Sequence, residues 1–210
     1  MGTKRAVYQK ADYWTLKAKA AGYPARSVYK LEELEEHFAL VRGSRTVLDL
    51  GASPGSWSAW LLRRLSGRGK VVAVDLNPLD ERVAGEALVF IQGDMTGEAV
   101  QGQLLAFAPF DLVLSDAAPL TSGNHVVDTG RSQELFCAAL ACARRFLKAG
   151  GHFCAKVFQG GGQRLLLDEM KAMFAEARVA RPKACRPSSR EIYLVGLGYK
   201  GDRAGTMYGK

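Results

Sequence analysis

From residue 46 onward, short apolar runs alternate with longer segments in which apolar residues recur every three or four positions. The apolar runs predict strands at 46–50, 71–75, 88–91, 111–115, 152–158 and 192–197. The longer segments predict helices near 56–66, 96–106, 130–148 and 163–176. Gly150-Gly151 is the expected end of the third of these helices. This alternation predicts a doubly wound α/β fold, with a mostly parallel sheet and helices on both faces.

The first 45 residues follow a different pattern. They predict a basic helix around 10–21, a turn at Gly22-Tyr23-Pro24 and a second helix from about Ser27. One face of that second helix is apolar and carries Val28, Leu31, Leu34 and Phe38. We therefore expect a single folded unit made of a helical N-terminal extension over 1–45, a core domain over 46–199 and a loose tail over 200–210.

The charge is distributed unevenly along the chain. The 210 residues are 48% hydrophobic and 24% charged, which is typical of a globular protein and excludes a coiled coil or a collagen-like fibre. The net charge of +8 divides into +6 over residues 1–30, −4 over 31–177 and +6 over 178–210. Basic ends beside a mildly acidic centre suit a nucleic-acid contact surface, and they equally suit two solvated termini.

The cysteines, the histidines and the longest apolar run exclude several classes of site. The four cysteines have no C-x-x-C spacing and the three histidines have no zinc-binding spacing, so we expect buried, reduced thiols and no metal. The longest apolar run, 136–143, is too short to span a bilayer, and residues 1–10 lack the apolar core of a secretory signal. We expect a cytoplasmic protein without a membrane partner.

A glycine-containing turn, Gly51-Ala52-Ser53-Pro54-Gly55, follows the first predicted strand and precedes a helix. In an open α/β sheet this is where a ligand meets the strand ends. Gly51 and Gly55 would let the backbone approach a ligand closely, Pro54 suits a first helical turn, and Ser53 could cap that helix.

Three chemistries could use such a turn. A dinucleotide site needs G-x-G-x-x-G, which is absent because Ser53 and Ser56 stand where glycines are required. A serine hydrolase is suggested by the G-x-S-x-G match, but the backbone N–H needed after Ser53 is missing at Pro54. The third option is S-adenosylmethionine, a nucleoside cofactor without a pyrophosphate. It is favoured by Asp75, Asp94 and Asp116, which lie at the ends of successive predicted strands.

A lysine interrupts an apolar strand. Lys156 lies within the run 153–158, where burial of an unpaired ammonium group would be costly, so we expect it to be paired, neutral or at the open end of its strand. Glu191 opens the last predicted strand and Lys30 lies on the second N-terminal helix.

Five segments, in this order, resemble motifs of the FtsJ-type ribose 2′-O RNA methyltransferases. They are Ala25-Arg26-Ser27-Val28-Tyr29-Lys30-Leu31, the stretch from Leu48 to Ser58, Ser115-Asp116-Ala117-Ala118-Pro119, Lys156-Val157-Phe158-Gln159-Gly160 and the stretch from Ser188 to Tyr193. The resemblance runs from about residue 12 to 199. The chain departs from the family's usual residues at Leu120 and Ser56, which puts the substrate loop in question rather than the chemistry.

The resemblance implies a Rossmann-like methyltransferase fold that binds S-adenosylmethionine. The family's catalytic Lys-Asp-Lys-Glu set falls on Lys30, Asp116, Lys156 and Glu191. Its cofactor contacts fall on Gly55, Trp57, Asp75, Asp94 and Asp116, to which the turn adds Gly51. We expect Lys156 to be the general base, Asp116 and Glu191 to orient it, and Lys30 to hold the substrate ribose or phosphate.

The expected substrate is RNA, bound in part by Arg26, Lys30, Arg186 and Arg190. By resemblance, it is a uridine of large-subunit ribosomal RNA. We expect the enzyme to be a monomer. Three alternatives stay open at this point: transfer RNA or a messenger cap as substrate, a non-catalytic RNA-binding protein of ribosome assembly, and a small-molecule O-methyltransferase.

Overall fold

A computed structural model describes residues 12–201. The first eleven residues, with part of the predicted basic helix, and the tail over 202–210 lie outside the described residues. The helices are α1 (Tyr13–Ala20), α2 (Val28–Phe38), α3 (Ser56–Leu65), α4 (Glu98–Leu104), α5 (His125–Phe146) and α6 (Gln163–Met173). The strands are β1 (Thr46–Leu50), β2 (Lys70–Asp75), β3 (Leu88–Gln92), β4 (Phe110–Ser115), β5 (Leu147–Phe158), β6 (Phe174–Ala180) and β7 (Glu191–Tyr199).

The described strands form one sheet of order β3-β2-β1-β4-β5-β7-β6. Strands β1 to β5 are parallel, whereas β7 is antiparallel to both β5 and β6. The strand order reverses between β1 and β4, which creates the crevice where open α/β sheets bind ligands. Because β7 runs against β5, Glu191 at its start pairs with Phe158 at the end of β5. The mostly parallel α/β sheet that the sequence predicts is confirmed.

Each face of the sheet carries its own apolar core. Successive strand residues point to opposite faces, so Val47 joins the core under α1, α2 and α3, whereas Leu48 joins the core under α4, α5 and α6. Residues 112–114 of β4 are fully buried, as expected for a strand that is covered on both sides. The helical extension therefore packs on one face of the sheet.

The structure differs from several of the sequence predictions. The last helix ends at Met173 rather than at 176, and a strand that the sequence pattern did not predict, β6, follows at once. Its first residue, Phe174, stacks on Phe153 within the core, with the ring centroids 6.1 Å apart. Gly150-Gly151 does not end a helix: α5 begins earlier, at His125, and ends at Phe146, and the glycines lie inside β5 beside a register shift. The cysteines are free, but Cys137 is exposed rather than buried.

Candidate active site

The glycine turn and the three predicted acidic residues meet at one edge of the sheet. Gly51 follows β1, Asp75 ends β2, Asp94 follows β3 and Asp116 follows β4. These strands are neighbours in the sheet and parallel, so their carboxyl ends lie side by side. This edge lies at the reversal of strand order.

The turn after β1 is closely packed against its neighbours. Gly51 has φ +70°, and a Cβ there would lie 2.5 Å from the Cα of Ala117. Gly55, not Ser53, occupies the N-cap of α3, with φ +104°, and Pro54 lies before the helix. The capping role predicted for Ser53 is therefore wrong, because its hydroxyl instead donates to the Pro78 carbonyl at 3.0 Å.

Two carboxylates flank this turn. Asp75 accepts a hydrogen bond from the Ser53 backbone N–H at 2.9 Å and from that of Asn77 at 2.8 Å, which ties β2 to the turn. Asp94 accepts from the backbone N–H of Thr96 at 2.8 Å and from the hydroxyl of the same residue at 2.8 Å. These bonds hold the pKa of the exposed Asp94 below its usual range, so it is ionised at neutral pH.

Asp116 lies at the centre of a buried polar cluster. Its Oδ1 lies 2.9 Å from the Lys156 Nζ and accepts a hydrogen bond from the Tyr193 hydroxyl at 2.7 Å. Lys156 also donates to the Asp116 backbone carbonyl at 2.6 Å. Burial raises the pKa of Asp116, but the ammonium groups of Lys156 and Lys30 outweigh it and hold the pKa below its usual range. Asp116 is therefore a carboxylate, and Lys156 has one fixed position.

Lys30 and Glu191 form a second buried pair. The Lys30 Nζ donates to the Glu191 Oε2 at 2.9 Å, and both side chains are 11% exposed. Burial lowers the pKa of Lys30, but the carboxylates of Asp116 and Glu191 outweigh it and keep the pKa above its usual range. Lys30 is therefore an ammonium ion at neutral pH. Glu191 pairs with Lys30, which differs from its predicted role of orienting Lys156.

Two aromatic residues complete the wall of this cluster. Tyr193 was not predicted as a site residue, although it lies two residues after Glu191 on the same strand and so faces the same side of the sheet. Tyr193 is also the cross-strand partner of Lys156. The Trp57 ring lies 5.9 Å from that of Tyr193, and its indole N–H donates to the Ser27 carbonyl at 2.8 Å. The indole thus holds the N-terminal extension against the site.

The arginines expected to bind RNA already have partners within the protein. Arg26 forms an ion pair with Asp12 and donates to the Ala184 carbonyl at 2.6 Å. Arg190 donates to the Thr129 hydroxyl at 3.2 Å. Arg186 is more exposed, and its Nε lies 3.9 Å from the Asp12 Oδ2. Of the three, Arg186 is the one most accessible to a phosphate.

A further carboxyl, which the sequence analysis also missed, lies beneath the turn. Asp49 on β1 is fully buried and accepts a hydrogen bond from the Ser58 hydroxyl at 2.6 Å. Within residues 12–201, its Oδ1 has no hydrogen-bond partner. Burial raises the pKa of Asp49 to about 7, and the carboxylates of Asp116 and Asp75 add to the effect. Its signal in the sequence was an acid within an apolar strand.

We expect replacement of Asp49 by asparagine to remove a pH dependence of stability. Because the folded state holds the Asp49 proton more tightly than the unfolded chain, the free energy of unfolding falls as the pH rises from about 4 to about 7. The loss amounts to about 4 kcal/mol for a shift of this size. The free energy of unfolding, measured with denaturant, should change less between pH 5 and pH 8 for Asp49→Asn than for the unchanged protein. An equal change in both proteins would contradict the raised pKa.

The match to a known protein family covers both the turn and the buried cluster. The model of the FtsJ-like methyltransferase family matches residues 23–199. The chain belongs to this family. This methyltransferase is 50% identical over 194 residues to the ribosomal RNA large subunit methyltransferase E of Treponema denticola, with 92% of this chain and 98% of the relative covered. It is 46% identical over 196 residues to the protein of that name from Sorangium cellulosum, with 92% of this chain and 90% of the relative covered.

A solved structure agrees with this assignment. A crystal structure of a ribosomal RNA methyltransferase from Plasmodium falciparum is 28% identical, has a TM-score of 0.74 and covers 85% of this methyltransferase and 100% of its own chain. The Rossmann-like methyltransferase fold and the methyltransferase activity expected from the sequence are thus confirmed.

Between residues 12 and 201, no group of three or more His, Cys, Asp and Glu residues has the geometry to hold a metal ion. In that same range, every helix is too short or too polar to cross a membrane.

Proposed function

We propose that this methyltransferase transfers a methyl group from S-adenosylmethionine to a ribose 2′-hydroxyl of large-subunit ribosomal RNA. The observation that carries the proposal is the meeting of Lys30, Asp116, Lys156 and Glu191 beside the glycine turn. These four residues are the ones at which the family resemblance expects a catalytic set. The names of the two curated relatives support the choice of ribosomal RNA.

The residues at the sheet edge fit S-adenosylmethionine, which supplies a methyl group on a positively charged sulfur when bound. Asp75 and Asp94 lie on β2 and directly after β3, and each carboxylate has acceptor capacity for ribose hydroxyls or an adenine amino group beyond the bonds described. Asp116 adds a negative charge on the other side of the turn. Gly51 and Gly55 let the turn pack closely on Ala117 and Val83, which places its backbone beside these carboxylates. We propose that the three carboxylates and the two glycines hold the cofactor together with Trp57, whose ring lies beside that of Tyr193 in the same cluster.

The two lysines have different parts in the proposed mechanism. A ribose hydroxyl is a weak acid, so its attack is helped by a group that takes its proton. We assign that role to the Nζ of Lys156, which the Oδ1 and the backbone carbonyl oxygen of Asp116 hold in one place. The amine must be neutral when it accepts the proton. Lys30, kept charged by its carboxylate neighbours, holds the substrate ribose or its phosphate. Tyr193 fixes Asp116, and Glu191 fixes Lys30.

The basic ends of the chain support an RNA substrate. Among the described residues, Lys17 and Lys19 are exposed on α1, and Arg186 is exposed beside the start of β7. Such groups would contact phosphates and make binding depend on salt. We propose that the protein acts as a single chain in the cytoplasm, on RNA within the large ribosomal subunit.

The test offers purified protein and cofactor with a labelled methyl group to unmodified large subunits, naked ribosomal RNA and transfer RNA. We expect label in the large subunits, at a nucleotide whose 3′ linkage has become resistant to alkali because its 2′-oxygen is methylated. Label in transfer RNA alone would overturn the substrate, and alkali-sensitive label would overturn the 2′-oxygen as the acceptor. If the protein binds the cofactor but labels none of the RNAs, the result favours a non-catalytic RNA-binding protein.

A further inference from the structure

Two side chains near or on α2, those of Arg26 and Glu33, contact one stretch of chain that leads into the active site. This stretch, residues 181–190, links β6 to β7 and is called the β6–β7 connection below. Arg26 donates to the Ala184 carbonyl at 2.6 Å, and Glu33 accepts from the backbone N–H groups of Lys183 and Ala184 at 2.7 and 2.9 Å. Lys30 lies between them and bonds Glu191, the first residue after the connection.

The spacing of these three residues places them in one row. Positions 26, 30 and 33 are four and three residues apart, so they share one face of the helical segment. The Arg26 carbonyl accepts the Tyr29 N–H at 3.2 Å, which extends the helical turn back to Arg26. Arg26 and Glu33 thus fasten residues 183 and 184 of the connection to α2, and along the helix they lie on either side of Lys30.

A fourth residue fixes Arg26 itself. Asp12 caps α1 by accepting the Thr15 N–H at 3.0 Å, and its other oxygen pairs with the Arg26 guanidinium. Arg26 therefore bridges α1 and the β6–β7 connection through two different nitrogens, an arrangement that lysine cannot reproduce.

We propose that Arg26, held by Asp12, and Glu33 are positioning residues that seat the β6–β7 connection on α2 so that Glu191 meets Lys30. This inference rests on the proposed RNA methyl transfer for its effect on rate. It replaces direct phosphate contact as the role of Arg26. The consequence is large because a displacement of about 1 Å at a reacting group can cost about 100-fold in rate.

The experiment compares Arg26→Ala, Asp12→Asn, the double variant of these two, Glu33→Ala and Glu33→Gln in the full chain. The matched control is Asp168→Asn, which removes a carboxylate from an exposed ion pair with Lys171 on α6. Two readouts are measured: hydrogen exchange of the backbone amides in 183–191, and kcat and KM for RNA. The rate is expressed per cofactor-binding site, so that unfolded protein does not count.

We expect Arg26→Ala and Asp12→Asn to have the same effect as each other on both readouts. Amides in 183–191 exchange faster, kcat falls by about 10- to 100-fold, and KM for RNA stays within about threefold. The double variant resembles Arg26→Ala alone, because both changes remove one bridge. Glu33→Gln, which keeps an acceptor oxygen, retains more activity than Glu33→Ala, and the control behaves like the unchanged protein.

A direct phosphate contact by Arg26 would give a different pattern and overturn the inference. Arg26→Ala would then raise KM for RNA, and Asp12→Asn would lower it, because Asp12 would no longer compete with phosphate. Unchanged exchange in 183–191 would also overturn it, whether or not the protein methylates RNA. If the unchanged protein methylates none of the RNAs, that result contradicts the proposed function instead.

Discussion

Replacing Lys156 with alanine lowers kcat for RNA methylation by about 10³-fold and leaves the dissociation constant of the cofactor within about twofold. The ammonium group of Lys156 contacts two oxygens of Asp116, and the residue is 7% exposed, so the proposed base has a fixed and buried position. Lys30 cannot replace it as a base, because its carboxylate neighbours keep it protonated. The measurement is single-turnover methylation together with calorimetric titration of the cofactor.

Two further variants make this result specific. Lys156→Arg keeps a positive charge but cannot lose its proton at neutral pH, so it should be as inactive as the alanine variant. Lys171→Ala removes an exposed lysine from α6 and should retain full activity. Near-full methylation by either Lys156 variant would show that this residue is not the base.

Replacing Asp116 with asparagine lowers kcat by about 10²- to 10³-fold and also weakens cofactor binding. Asparagine can still accept the hydrogen bond from the Tyr193 hydroxyl, so the cluster keeps part of its geometry. The lost charge, however, leaves Lys156 and Lys30 without the carboxylate that both of them face. This double effect distinguishes Asp116 from Lys156, for which only kcat is expected to change.

The same substitution has a predictable effect on stability. Because the folded-state pKa of Asp116 is lowered, its carboxylate stabilises the fold above the unfolded pKa, and this contribution is lost as the pH falls through the folded value. The free energy of unfolding of Asp116→Asn should therefore be lower than that of the unchanged protein at pH 7. This difference in free energy should become smaller as the pH is lowered. A difference that grows towards low pH would contradict the lowered pKa.

Much of the site could be located from the sequence because strand ends are easy to recognise. Asp75, Asp94 and Asp116 each follow an apolar run, and parallel strands bring such residues to one edge. Lys156 was recognisable as a charge within a buried strand. Lys30 and Glu191 carried no such signal, and only the family resemblance pointed to them. Tyr193 had no signal of its own because buried strands often contain tyrosine, whereas Asp49 was recognisable, like Lys156, as a charge within an apolar strand.

Local pattern alone therefore determined the order of the elements other than β6, the mostly parallel sheet and the edge at which the chemistry lies. The choice of partners needed the tertiary structure. Lys30 and Glu191 are 161 positions apart and meet only because α2 packs on the sheet beside the start of β7. Arg26 joins Asp12 and Ala184 for the same reason. Periodicity is a property of a few consecutive residues, whereas the direction and neighbours of a side chain depend on how distant elements pack, so the pairing of charges within this site was decided by the fold.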